Sequence, residues 1–121
     1  MSQISPHFDR EEFACGCGCG FDTVDSKLID ILELLRQAFS SPVTITSGCR
    51  CDAHNKVVGG GKHSQHKLGR AADVVVEGVP ATVVQEWFLD NYPFTFGMGR
   101  YEDFTHIDTR SGEPARWGRT L

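Results

Sequence analysis

Residues Ala72 to Val76 form an apolar run of the kind that fills a buried strand, yet its second position is Asp73. A carboxylate buried among Ala71, Ala72, Val74, Val75 and Val76 is costly unless something pairs with it, and direct coordination of a metal ion removes that cost. Two histidines supply the rest of a ligand set. His66 lies seven residues upstream in a stretch rich in glycine and serine, and His106 lies in Phe104-Thr105-His106-Ile107-Asp108, which also reads as a strand. Two histidines and one aspartate leave the fourth position of a tetrahedral zinc ion to water, which separates a catalytic site from a closed structural one. By itself this spacing is common, and a histidine on a strand is more often a satisfied polar residue than a ligand.

The flanking pattern predicts the frame around these residues. Asp22, Thr23 and Asp25 offer helix-start chemistry, and Leu28, Ile31, Leu32, Leu35 and Phe39 recur behind them at three- and four-residue steps, so an amphipathic helix is expected. Pro42 ends it, and the β-branched run Val43 to Thr46 predicts a strand that stops at Ser47-Gly48. From Cys49 to Gly69 the periodicity disappears, which predicts a long functional loop with at most one short helical turn. Pro80 opens a second helix through Val83, Val84, Trp87 and Phe88, and Phe94 to Tyr101 and Phe104 to Thr109 predict two strands joined at Glu102-Asp103. These elements do not alternate as regular crossovers. The expected class is therefore α+β, with a small mixed, mainly antiparallel sheet and helices packed on it. A chain of 121 residues, 40% hydrophobic and 23% charged, suits one domain over residues 1–121, of which residues 1–21 form a Cys- and Gly-rich N-terminal segment.

The net charge of -4 provides no basic field for a phosphate backbone, so nucleic acid is not an expected partner. Arg110, Arg116 and Arg119 gather near the end with Glu113 among them and read as a solvated tail. No apolar run approaches the roughly 20 residues of a transmembrane helix, and Met1 to Glu12 lack the apolar stretch of a signal peptide. The expectation is a monomer that is cytoplasmic at synthesis.

Three segments, in this order, carry a family resemblance: Ile45-Thr46-Ser47-Gly48-Cys49-Arg50, then Ser64-x-His66-x-x-Gly69-x-Ala71-x-Asp73, then Phe104-Thr105-His106-Ile107-Asp108. Together with His54-Asn55 and Gly59-Gly60 they make the chain similar, from about Val43 to Trp117, to the zinc D-Ala-D-Ala carboxypeptidase and L-alanyl-D-glutamate peptidase family. That family of peptidoglycan peptidases includes phage endolysins and shares its fold with the Hedgehog signalling domain. The resemblance implies a Hedgehog/DD-peptidase-like fold, a Zn2+ cofactor held by His66, Asp73 and His106, and Arg50 as a substrate-binding arginine near the metal. It implies Asp103, three positions before His106, as the general base, with Glu102 and Asp108 competing for that role. Asp108 shares the face of His106 and is alternatively suited to orienting it. The implied activity is hydrolysis of a bond in the peptidoglycan stem peptide, as a D-Ala-D-Ala carboxypeptidase or an L-Ala-D-Glu endopeptidase, with a phage-type endolysin as one setting. Such an enzyme would reach the wall by lysis or by an export route that the sequence does not encode. Two other classes compete. One is a zinc-containing Hedgehog-like binding domain without catalysis, distinguished by whether an acidic base and Arg50 both face the metal. The other is a cysteine peptidase, for which no Cys and His pairing is recognisable.

Five cysteines stand in two groups, Cys15, Cys17 and Cys19, then Cys49 and Cys51. An odd number excludes a complete disulfide framework. Bridges between the groups, free thiols, and a second, thiolate-rich metal site are all open on sequence. Cys49 also stands where many members of the family place an aromatic residue near the arginine. Of the other histidines, His7 falls in a terminal segment and His54 and His63 in loops, with His63 a competitor for metal only if its loop turns helically.

Overall fold

A computed structural model describes residues 3–61 and 64–118. It opens on a hairpin of strands β1 (Gln3–Ser5) and β2 (Phe8–Asp9), followed by a 3-10 turn over Arg10–Phe13. Phe8 and Phe13 put their rings 6.0 Å apart and are both buried, so the N-terminal segment is part of the core. Helix α1 (Ser26–Phe39) follows and buries Leu28, Ile31, Leu32 and Leu35, as the periodicity predicts. Asp25 precedes its first turn, but the carboxylate accepts a hydrogen bond from Thr109 Oγ1 at 2.8 Å instead of capping the helix. The start of α1 is thereby tied to the far end of the chain.

Strand β3 (Val43–Ser47), helix α2 (Asp52–Val57), a 3-10 turn at Gln65–Leu68 and strand β4 (Ala71–Val76) come next. The stretch from Cys49 to Gly69 thus contains two short helices where at most one turn was expected. Neither is long enough to show a hydrophobic period, and each starts on a side-chain cap, Cys51 for α2 and Ser64 for the turn. Helix α3 (Ala81–Asn91), strand β5 (Gly97–Arg100), strand β6 (Thr105–Asp108) and strand β7 (Ala115–Gly118) complete the fold. The strand expected over Phe94 to Tyr101 is shorter than its apolar pattern, because Pro93 to Phe96 form the turn out of α3.

The five-stranded sheet has the order β3-β4-β6-β5-β7, antiparallel except for the parallel pairing of β5 with β7. This is the expected α+β class, a mixed sheet with helices packed on it. Its two faces differ in chemistry because successive side chains on a strand alternate. Ala72, Val74 and Val76 of β4, Ile107 of β6 and Met98 of β5 are buried in one core with α1 and with Val84 and Phe88 of α3. The opposite face carries Asp73, His106 and Asp108, with Asp73 directly across from His106 and Ala71 across from Asp108. A register shift between Ile45 and Ser47 brings Ser47 opposite Asp73, a bulge that lets β3 serve the core with Ile45 and the polar face with Ser47.

The reading of Arg110 and Arg116 as a solvated tail does not hold. Arg116 lies in β7, half-buried, donating to the carbonyls of Phe96 at 3.0 Å, Thr95 at 3.0 Å and Tyr92, with its guanidinium 5.4 Å from the Phe88 ring centre. Arg110 is held by Asp108. Arg119 lies outside the described residues.

A polar residue inside the core fixes the hairpin between β5 and β6. Gln85 of α3 is 1% exposed, and its Nε2 donates to Tyr101 O at 3.0 Å, Phe104 O at 3.3 Å and Thr105 Oγ1 at 3.2 Å. Leucine fills a similar volume but leaves those acceptors without their donor. We therefore expect Gln85→Leu to lower stability by about 1–3 kcal/mol, read as a shift of the denaturation midpoint at unchanged slope, with faster amide exchange through the hairpin. An unchanged midpoint would mean that the hairpin is held by its strand pairing alone.

Candidate metal centre

Sheet register and one loop bring the three predicted ligands together. Asp73 and His106 face each other across β4 and β6, and the 3-10 turn carries His66 over them from the β3 side. His66 Nε2 is 3.2 Å and His106 Nδ1 is 3.1 Å from the same oxygen, Asp73 Oδ1, and all three side chains are buried. One ligand atom from each lies within 4.8 Å of the others. The edges of a tetrahedron around a zinc ion with ligands at about 2.0–2.1 Å are of this order.

The remaining ring nitrogens settle what the convergent atoms are. His66 Nδ1 is 2.6 Å from the carbonyl oxygen of Gly48, which only accepts, so Nδ1 carries the proton and Nε2 presents a lone pair. His106 Nε2 is 2.7 Å from Asp108 Oδ2, and that carboxylate is ionised, so Nε2 carries the proton and Nδ1 presents a lone pair in the neutral ring. With both imidazoles neutral, three lone pairs converge on one point, an arrangement that a cation relieves, and two imidazoles with one carboxylate suit zinc. The donor set fits the metal that the sequence implies.

The electrostatics agree. Burial pushes the Asp73 carboxyl up, but its polar contacts with the His106 and His66 rings outweigh it and bring its pKa down from 3.8 to about 2. Burial also raises the Asp108 carboxyl, and the hydrogen bonds from Arg110 and His106 overcome this and hold it far below the usual carboxylate range. For His106, burial favours the neutral ring, whereas Asp108 and Asp73 together raise its pKa above 6.5.

Asp108 is completely buried and engaged on both oxygens, by His106, by Arg110 Nε at 2.8 Å and by Arg110 Nη2 at 2.7 Å. It orients the His106 ring, as its place on the strand suggests. Space for it comes from β5, where a Cβ on Gly97 would lie 2.4 Å from both Asp108 oxygens, and one on Gly99 would lie 2.6 Å from Trp117 Nε1.

His66, Asp73 and His106 line a cavity of about 340 Å³. Arg50 stands on one side, donating from Nη2 to Asp73 Oδ2 at 3.4 Å, from Nη1 to Asn55 Oδ1 at 3.3 Å and from Nε to Ser47 Oγ at 3.3 Å. Tyr101, Phe104 and Trp117 form the facing wall, with Tyr101 stacked on Phe104 and its hydroxyl 3.0 Å from Trp117 Nε1. Asp103 and Glu102 are exposed in the bend between β5 and β6, and the carboxylates that touch the ligand rings are Asp73 and Asp108. The structure therefore brings together His66, Asp73, His106 and Arg50, and leaves Asp103 exposed in the bend, outside the residues that line the cavity. Sequence reasoning missed the Gly48 carbonyl, Asn55, Arg110 and Trp117. Of these, only Arg110 had a local signal, its place two residues after Asp108. His63 lies outside the described residues.

Metal must displace the proton from His106, and the sign follows from the raised pKa: acidification strengthens the proton's competition, beginning above the pH at which a free imidazole titrates. We expect zinc affinity, measured against a competing chelator from about pH 8 to about pH 5.5, to start falling above about pH 6.5 and then to drop up to about tenfold per unit. His66→Ala combined with His106→Ala should remove about one equivalent of zinc at every pH. Affinity independent of pH over this range would show that His106 is not a ligand.

The comparisons with known proteins bear on this centre. The chain matches no curated protein. A family model described as Peptidase M15 matches residues 6–108, a span that contains Arg50, His66, Asp73 and His106, and the chain therefore belongs to the Peptidase M15 family.

Proposed function

We propose that this peptidase uses zinc, held by His66, Asp73 and His106, to hydrolyse a peptide bond in the peptidoglycan stem peptide. The observation that carries the reading is the preset Arg50 guanidinium beside a three-ligand centre lining an open cavity. Family membership supports peptide hydrolysis, and the resemblance in the three sequence segments supports the cell wall as its source. Both a D-Ala-D-Ala carboxypeptidase and an L-Ala-D-Glu endopeptidase fit, with a phage-type endolysin as one setting. When bound, zinc supplies Lewis acidity toward water and the scissile carbonyl.

The chain's own residues do the rest. Ser47 and Asn55 hold Arg50 by two of its nitrogens, so its planar fork is fixed before substrate arrives. A fixed cation at this position stabilises negative charge that develops on a carbonyl oxygen, with no reorganisation during the reaction. Asp108 keeps the His106 ring in one tautomer. Asp108 is already saturated by its donors, and we assign the proton-accepting role to Asp103, as the resemblance implies, with its neighbour Glu102 as the competitor; Gln85 holds the hairpin that carries both. The aromatic wall of Tyr101, Phe104 and Trp117 offers apolar surface to the peptide.

Two variants test this. Asp103→Asn should keep its zinc and lose about 100-fold or more in kcat on purified peptidoglycan, the loss that acid/base catalysis accounts for, while near-normal turnover would pass the role to Glu102. Arg50→Lys should retain metal and fold and lower kcat by about 10- to 1,000-fold with a smaller change in KM. A change in KM alone would make Arg50 a ground-state anchor. Mass analysis of the released fragments identifies the bond, and the absence of any fragment from the unmodified protein loaded with zinc would refute hydrolysis and leave a binding domain.

A further inference from the structure

The cysteines form a second cluster apart from the His-Asp-His centre. Cys15 Sγ is 3.5 Å from Cys17 Sγ and 3.8 Å from Cys51 Sγ, Cys17 Sγ is 3.6 Å from Cys51 Sγ, and Cys19 completes a group of four sulfurs within 4.8 Å of one another. These separations are far beyond the roughly 2.05 Å of a disulfide. They match the edge of a tetrahedron with sulfurs at about 2.3 Å from a central zinc, which is about 3.8 Å. The fifth cysteine is turned elsewhere, its Sγ donating to the Phe21 carbonyl at 3.0 Å.

We propose that Cys15, Cys17, Cys19 and Cys51 bind a second, structural zinc ion, which fastens the N-terminal segment to the turn that carries Arg50.

Two features of the chain prepare this site. The segment from Cys15 to Cys19 alternates cysteine with glycine, and at Gly18, with φ of +79°, it bends so that alternate sulfurs reach one centre instead of spreading along an extended strand. Backbone N–H groups already point at the sulfurs, Cys51 N at Cys15 Sγ and His54 N at Cys51 Sγ, each at 3.4 Å. They offset the negative charge that four thiolates around one zinc ion retain. Binding is a simple exchange, in which four S–H bonds break, four Zn–S bonds form, the protons pass to solvent and no oxidation state changes. Four sulfurs close the coordination shell, so this ion has no open position and serves structure. What it anchors is specific: Cys51 is the residue after Arg50 and the cap of α2, while Cys49 N bonds Phe13 O at 2.9 Å on the other side.

The test uses the full chain with zinc and with cobalt as probes. We expect about two zinc equivalents in the unmodified protein, about one in Cys17→Ser/Cys19→Ser, and about one in His66→Ala/His106→Ala. The cobalt-loaded protein should show intense sulfur-to-cobalt charge-transfer absorption that persists in the histidine variant and is lost in the cysteine variant. If the cysteine variant fails to fold, the unmodified chain still decides the matter, because zinc should protect Cys15, Cys17, Cys19 and Cys51 from alkylation while the histidine variant keeps that protection. One zinc equivalent that disappears with the histidines, absent charge-transfer absorption, or alkylation indifferent to metal would each overturn the proposal. These readouts depend on sulfur and not on hydrolysis, so they are separate from any failure of the peptidase reading.

Discussion

Three lone pairs aimed at one point form an arrangement that a positive charge between them relieves. Asp73 Oδ1, His66 Nε2 and His106 Nδ1 are in that position because their other polar atoms are spoken for, by Arg50, by the Gly48 carbonyl and by Asp108. The supporting contacts come from β3, β6 and the turn after β3. These contacts hold the three groups close together. The apolar architecture supplies the counterforce: the same β4 and β6 that present Asp73 and His106 bury Ala72, Val74, Val76 and Ile107 against the helices on their other face. Asp73 and His106 are thus tied to the core through their strands, whereas His66 depends on its own turn.

The division between the two faces explains what could be read from the sequence. Asp73 was conspicuous because it interrupts the apolar run of a largely buried strand, and His106 because it sits in a second buried strand. Helices α1 and α3 were legible from their periods. Strand β7 was not, since it pairs in parallel with β5 through a connection that leaves no local mark, and its charged residue suggests solvent. Arg116 satisfies backbone carbonyls at the end of α3 instead, a role visible only once the chain has folded over it. The N-terminal hairpin was hidden for a related reason: Phe8 and Phe13 are single aromatic residues in a polar stretch, and a pattern needs more than two points.

The site was legible in its ligands and much less so in their supports. A metal ligand must be a particular residue type, whereas the group behind it need only accept or donate in the right place, and a main-chain carbonyl such as that of Gly48 has no signature at all. Asn55 and Ser47 belong to the same class. Both lie near Arg50 in sequence, yet nothing in their spacing announces that they grip its guanidinium. Asp108 is the intermediate case, legible as a partner of His106 by its two-residue step and as buried only through Arg110.

Strand β5 suggests how this pocket is to be engineered. Its Gly97 and Gly99 face the site but contribute no atoms to it, because the carboxylate of Asp108 and the indole of Trp117 occupy the volume in which their side chains would stand. The strand behaves as a mould whose surface is recorded in its neighbours. A library that diversified β5 to enlarge or reshape the cavity would therefore act on His106 orientation and the aromatic wall rather than on substrate contacts. Val58, exposed at the rim, is a position where new specificity can be added without disturbing the casting.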